Sequence, residues 1–154
     1  MRVGLIADTH GLLRPAALAA LRGCELIVHA GDIGSRDVLD ALAEIAPVRA
    51  VRGNIDRGAW AAGLPGDDVV RFGGVFLYVL HDLADLDLDP AASGFHVVVT
   101  GHSHRPRHET RDGVHYVNPG SAGPRRFTLP ITLAELFIGA EGIEVRFVDL
   151  AAAG

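Results

Sequence analysis

The chain has 154 residues, 49% of them hydrophobic, with a mean hydropathy of +0.26; this predicts one domain over 1–154 with a sizeable core, yet no apolar run approaches the roughly 20 residues of a membrane span. The formal net charge of −5 argues against non-specific nucleic-acid binding. A single cysteine, Cys24, excludes a disulfide framework within the chain.

The segment Met1 to Asp8 turns acidic too soon for a secretory leader, so a cytoplasmic location is expected. All 14 basic side chains are arginines, so no lysine can act as nucleophile or Schiff base. Eight histidines are many for this length, and histidine is the commonest metal ligand.

Arg2 to Ala7 reads as a first strand, with Asp8-Thr9-His10-Gly11 as its exit loop. Arg14 to Arg22 reads as a helix, with Pro15 in its first turn and Gly23 as its stop. Glu25 to His29 reads as a second strand leaving through Ala30-Gly31-Asp32. Ser35 is the expected N-cap of a helix to about Ile45, with Val38, Leu39, Leu42 and Ile45 on one face. Pro47 to Val51 reads as a third strand, leaving through Arg52-Gly53-Asn54-Ile55-Asp56. This β-α-β-α-β order implies a parallel sheet with right-handed crossovers, in which ligands sit beyond the carboxyl ends of the strands.

The second half changes character. Asp68 to Phe72 and Val75 to Leu80 read as a hairpin around Gly73-Gly74, ending at His81. Asp82 to Pro90 is acidic and leucine-interleaved, read as loop with a short helix. Val97 to Thr100 is a strand leading into Gly101-His102-Ser103-His104. If that loop stays extended, its two histidines point the same way. Val114 to Val117 leads into Asn118-Pro119-Gly120-Ser121, and Ile131 to Ile138 with Ile143 to Val148 form a last hairpin. Two sheets face to face with helices outside are expected, and Ala151 to Gly154 are expected to fray.

Seven oxygen or nitrogen donors stand at strand exits: Asp8, His10, Asp32, Asn54, His81, His102 and His104. Singly each has a bland explanation as cap, turn or core residue. Together, after consecutive strands of one sheet system, they suit two borderline divalent ions with one carboxylate shared.

The ordered motifs Asp-x-His, Gly-Asp, Gly-Asn-x-Asp, His and Gly-His-x-His resemble those of the calcineurin-like metallophosphoesterases across nearly the whole chain. The short format, with Asn118-Pro119-Gly120-Ser121 and Arg125, is similar to the small bacterial and archaeal phosphodiesterase branch. The resemblance implies a four-layer α/β/β/α sandwich of two mixed sheets flanked by helices. It implies that Asp8, His10 and His104 hold one ion, that Asn54, His81 and His102 hold the other, and that Asp32 bridges them. Asp32, Asn54 and His102 would act in catalysis as well. Mn²⁺ is the favoured ion, with Ni²⁺, Fe²⁺, Zn²⁺ or Co²⁺ as alternatives.

The chemistry so implied is hydrolysis of phosphodiesters, with monoesters as a further substrate class. A hydroxide shared by two ions roughly 3.5–4 Å apart would attack in line. Two departures bear on substrate. Ile55 stands where larger relatives carry a histidine after the metal-binding asparagine, so help for a poor leaving group is not expected from that position. Asp82 follows His81 where the family often reads His-Gly-His. It is read as facing solvent, orienting a histidine or repelling a phosphate.

Asp56 is expected to support the Asn54 loop, His29 to be a core or supporting histidine, and Cys24 to be packing. His96, His108 and His115 are read as surface residues. Asn118 to Ser121 is read as a rigid turn buttressing the histidine loop. Arg125 is the expected phosphate contact, ahead of Arg14 and Arg126. The partners expected are a small phosphoester and a second copy of the chain, and no membrane. Two alternatives stand beside this reading: a non-catalytic scaffold on the same fold, like a retromer subunit, and a nucleotide-specific diesterase in signalling.

Overall fold

The computed structural model describes residues 1–151; the expected fraying of the tail beyond Ala151 lies outside the described residues. The elements in chain order are β1 (Arg2–Ile6), α1 (Pro15–Leu21), β2 (Leu26–His29), α2 (Arg36–Ala43), β3 (Val48–Ala50), β4 (Asp67–Phe72), β5 (Val75–Leu80), β6 (Val97–Val99), β7 (Arg107–Arg111), β8 (Val114–Asn118), β9 (Thr132–Gly139) and β10 (Gly142–Asp149). Short 3₁₀ turns occupy Ala59–Ala61 and Leu83–Asp85. No helix among the described residues is long and apolar enough to cross a membrane.

Two mixed five-stranded sheets form, in the orders β10-β9-β1-β2-β3 and β4-β5-β6-β8-β7. β1, β2 and β3 pair in parallel, with Leu5 opposite Val28 and Val28 opposite Arg49. β5, β6 and β8 also run parallel, with Val79 opposite Val99 and Val99 opposite Val117. Alternation along these strands sends one set of side chains between the sheets: Val3, Leu5, Leu26, Val28, Leu77, Val79, Val97 and Val99 share one buried core. The opposite set on the first sheet, with Ile6 and Ile27, packs against Leu21 of α1 and Val38 and Leu42 of α2. Gly4 permits the close approach of α1, since a Cβ there would lie 2.3 Å from Leu21 Cδ2.

The α/β/β/α layering is present with a thin fourth layer. The outer face of the second sheet, Tyr78, Leu80, Val98 and Val114, is covered by Leu83, Leu86, Leu88 and Phe95 from the segment between β5 and β6. From Asp85 to Asp89 aspartate and leucine alternate with a period of two, which sustains no helix, so the segment covers the sheet as irregular chain with a single 3₁₀ turn at Leu83–Asp85.

Other differences are local. Ser35 occupies the N-cap position of α2 in extended backbone, but its side chain makes no capping hydrogen bond. β7 was not among the expected strands. Its sequence, Arg-His-Glu-Thr-Arg, lacks an apolar alternation because it is an edge strand exposed along most of its length. Gly73 and Gly74 both adopt positive φ, 57° and 77°, as a two-residue hairpin loop between Phe72 and Val75 requires.

Candidate metal centre

The parallel strands deliver their carboxyl ends to one edge of the sandwich. β1 ends in Asp8-Thr9-His10, β2 in Gly31-Asp32, β3 in the Gly53–Asp56 loop, β5 in His81, and β6 in Thr100–His104. Non-glycine residues rarely adopt positive φ. Yet Asp8 (55°), His10 (48°), Asp32 (55°), His102 (73°) and His104 (62°) all do, five of the seven such residues described. Strain of this kind collects where surrounding structure over-determines a functional geometry.

The histidine loop is therefore not extended, and His102 and His104 do not point the same way. Left-handed backbone at both, with the Ser103 N–H donating to the Gly101 carbonyl at 2.9 Å, turns them apart. His104 meets His10, with ring centroids 5.2 Å apart. His102 meets His81 edge-on, also at 5.2 Å.

Two groups of donors result. Atoms of Asp8, His10 and His104 lie within 4.8 Å of one another, as do atoms of Asp8, Asp32 and His81. Asp32 Oδ2 lies 3.6 Å from His10 Nε2 and 3.4 Å from His81 Nε2. Asp8 Oδ1 lies 3.6 Å from His104 Nε2. Both carboxylates thus stand between the two groups, a shared position the sequence reading gave to Asp32 alone. Asn54 is exposed on the loop after β3 and lines the same cleft as His81.

The centre is buried and its donors are left over. Asp8 Oδ1, His10 Nε2, His81 Nε2 and His104 Nδ1 are buried without a hydrogen-bond partner, and Arg2 Nε completes the set of such atoms among the described residues. Buried polar atoms are otherwise almost always paired. Burial pushes the Asp8 carboxyl up to about 7 and the His10 imidazole down. Burial, with the Arg126 charge, brings His104 down to about 4. Asp32 behaves oppositely: burial works against its charge, but the His81 imidazole 3.4 Å away and the hydrogen bond from the Ile55 N–H hold it down to about 2. His81 is raised: burial opposes this, but Asp32 and the Ala30 carbonyl outweigh it. Its Nδ1–H donates to that carbonyl at 2.8 Å, which aims Nε2 at the centre. A cluster of imidazoles and carboxylates with several buried donor atoms lacking a hydrogen-bond partner fits a divalent cation, which would take the imidazoles neutral and the carboxyls ionised.

Supporting groups hold the loops in register. Asp56 is buried and accepts three backbone N–H groups, from Ile33 (3.1 Å), Gly34 (3.0 Å) and Gly53 (2.8 Å), so it ties the β2 exit to the β3 exit as well as supporting its own loop. Gly53 must be glycine, since a Cβ would come within 2.1 Å of the Asp32 nitrogen. Asn118 donates to the Gly101 carbonyl (2.9 Å) and to Ser103 Oγ (3.1 Å), and Ser121 Oγ donates to the Asp8 carbonyl (3.1 Å). The Asn118–Ser121 turn thus buttresses the Asp8 loop in addition to the histidine loop.

His29 is fully buried. Its Nδ1 accepts from the Gly31 N–H at 3.1 Å, so Nε2 carries the proton toward Thr9 Oγ1 at 3.0 Å, which donates to the Ile33 carbonyl at 2.7 Å. Burial lowers its imidazole to about 3. The unfolded chain takes up this proton near pH 6.5 and the folded protein only near pH 3, so stability is lost as pH falls through that window. Between pH 6.5 and 5 this residue should account for about 1.5 kcal/mol of lost stability. Urea denaturation of wild type and His29→Leu at both values checks it: the variant is less stable throughout but should show the smaller pH dependence.

Several residues land away from their expected places. Asp82 does not simply face solvent: it caps the 3₁₀ turn by accepting from the Ala84 N–H (3.0 Å) and lies 3.6 Å from His102 Nε2. The Arg126 charge acts on Asp8, His10 and His104. Arg125 and Arg126 are both exposed on the turn after Gly123. Gly123 packs on the Asp8-Thr9 backbone, where a Cβ would lie 2.3 Å from the Thr9 carbonyl oxygen, and its own carbonyl accepts from Arg14. Cys24 is buried in the helix-side core, and His96 and His108 are exposed, as expected.

The family model for the calcineurin-like phosphoesterase superfamily domain matches residues 1–140. A probable metallophosphoesterase of Methanothermobacter thermautotrophicus is 30% identical over 160 residues, covering 96% of this chain and 92% of that protein. The fold is shared with an archaeal phosphodiesterase that is 24% identical, with a TM-score of 0.81 and coverage of 97% of this chain and 99% of that one. It is shared too with Vps29 of Entamoeba histolytica complexed with Zn²⁺, at 22% identity, a TM-score of 0.73 and the same coverage. Family and donor groups together imply divalent metal ions. With two face-to-face mixed sheets and a nest of inward-facing carboxylates and imidazoles at their strand exits, the chain belongs to the calcineurin-like phosphoesterase superfamily.

Proposed function

We propose that this protein is a dinuclear metal-dependent phosphodiesterase. The observation that carries the reading is the pair of donor groups joined through Asp8 and Asp32, with four buried ligand atoms lacking any partner. His10 and His104 would serve one ion, His81, His102 and Asn54 the other, and the two carboxylates stand where both could be reached. Mn²⁺ is the favoured ion by the resemblance to the family, and the same nitrogen–oxygen set also accommodates Ni²⁺, Fe²⁺, Zn²⁺ or Co²⁺. When bound, such ions activate water at neutral pH and neutralise phosphoryl charge.

The protein's own residues supply the rest. The Asn118–Ser121 turn holds the Asp8 and histidine loops at fixed spacing. Arg126 brings positive charge to the His10–His104 side, suited to a non-bridging phosphate oxygen. Two concavities share Asp82, and His102 lines the smaller of them. One, of about 490 Å³, includes Asn54 and His81; the other, of about 150 Å³, includes Ser103, Tyr116 and Asn118. Two flanking spaces suit the two ester arms of a diester better than the one arm of a monoester. Ile55 is exposed beside Asn54 and has no proton to give, so aryl and other good leaving groups are favoured.

Elemental analysis of the purified protein, followed by kinetics on aryl phosphodiesters and monoesters with Mn²⁺, tests this. Two ions per chain and a diester preference are expected; metal-poor protein without turnover supports the scaffold alternative and ends the enzyme reading. The ion assignment has its own test. His102→Ala and His104→Ala should each remove one ion and leave the other, and electron paramagnetic resonance of the remaining Mn²⁺ should differ between them. Loss of the same ion in both variants would overturn the split.

A further inference from the structure

The larger of the two concavities has a consistent charge. Four carboxylates line it, Asp67, Asp82, Asp85 and Asp87, against one guanidinium, that of Arg52. Acidic side chains on an exposed face are most often simply solvated. Here they wall a cleft whose lining includes His81, a side chain more than nine-tenths buried whose Nε2 has no hydrogen-bond partner. A substrate arm extending from the centre past His81 and Asn54 therefore enters this wall. Asp67 accepts a hydrogen bond from Tyr78 at 2.5 Å, and Asp82 is held by the Ala84 N–H, so both keep fixed positions. Asp85 and Asp87 are exposed on the segment following the 3₁₀ turn. The nearby Arg49 is already committed to Asp68, at 2.8 Å, outside the cleft.

With four carboxylates against one guanidinium, the lining of the cleft is net negative. An arm bearing further phosphates would be repelled by the cleft, a neutral arm would gain little, and a cationic arm would be attracted.

We infer that the acidic cleft selects a cationic ester arm, so that the preferred substrates are phosphodiesters of amino alcohols carrying a protonated amine or a quaternary ammonium group. The inference rests on the phosphodiesterase reading and narrows it: nucleotide diesters with additional phosphates become poor substrates. In the reaction water's oxygen bonds to phosphorus, the P–O bond to one alcohol breaks, and that alcohol leaves with a proton. The cleft decides only which arm is held.

The test compares p-nitrophenyl phosphorylcholine with p-nitrophenyl 3,3-dimethylbutyl phosphate, its neutral isostere with the same leaving group, on Mn²⁺-loaded protein. About a tenfold higher kcat/KM for the choline ester is expected at low salt, shrinking at high salt. The double variant Asp85→Asn/Asp87→Asn, at two exposed positions the fold should tolerate, should cut the preference to about twofold. Equal kcat/KM for the two esters, or a preference that survives the double variant, overturns the inference while the diesterase reading stands. If neither ester is cleaved the diesterase reading fails, and calorimetry still decides the cleft. Phosphocholine must then bind about tenfold more tightly than 3,3-dimethylbutyl phosphate, and equal affinities overturn the inference.

Discussion

Asp32→Ala should lower kcat/KM on aryl phosphodiesters by about a thousandfold or more and leave the protein with less than one equivalent of metal. Asp32 is the carboxylate with contacts to a histidine of each group, 3.6 Å to His10 and 3.4 Å to His81. The His81 imidazole beside it and the hydrogen bond from the Ile55 N–H hold it ionised, so it offers a full negative charge between two prospective cations. Removing it deprives both ions of a ligand at once, whereas loss of His102 or His104 should touch one. Metal content by mass spectrometry and circular dichroism of the same sample separate loss of the site from loss of the fold. Full metal occupancy in a folded Asp32→Ala protein would refute the bridging role.

The second large effect is on stability. Asp56→Ala should destabilise the protein by about 3–4 kcal/mol, because three backbone N–H groups lose a charged acceptor. For a chain of this size that is a fall of about 10 °C in Tm, measurable by scanning calorimetry. Asp56 reaches no donor group directly, yet it ties Ile33 and Gly34 to Gly53, and so joins the loop carrying Asp32 to the loop carrying Asn54. Metal affinity should therefore fall by 10–100-fold, roughly the range seen when groups supporting a ligand are lost. Asp56→Ala protein as stable as wild type would mean that water satisfies those donors and that the loops are held by other contacts.

The strands whose residues alternate or run apolar were legible, because a buried strand must show its period whatever surrounds it. β7 was not, since an exposed edge strand buries too little to leave a pattern. The make-up of the fourth layer was not, since Leu83, Leu86, Leu88 and Phe95 cover their sheet from irregular chain with a single 3₁₀ turn, where layers of helix were expected. At the site, the residue types and their places after strand ends could be read directly. The charge that Arg126 exerts on Asp8, His10 and His104 could not, because the path of the turn after Gly123 brings it there. The role of His29 was left between core and support. Its hydrogen bonds to Gly31 and Thr9 make it both, and no local signal encodes a partner twenty residues away.

By itself the sequence determined the candidate donors' places after strand ends and most of the strands that carry them, through the local rules of hydrophobic period and turn chemistry. The family came from the ordered motifs, by resemblance, and the family model agrees. Only the tertiary structure decided that Asp8 stands beside Asp32 between both donor groups, that left-handed backbone turns His102 from His104, and that an acidic wall adjoins one side of the centre. Each is a relation between segments distant in the chain, set by the face-to-face packing of two sheets whose strand ends converge.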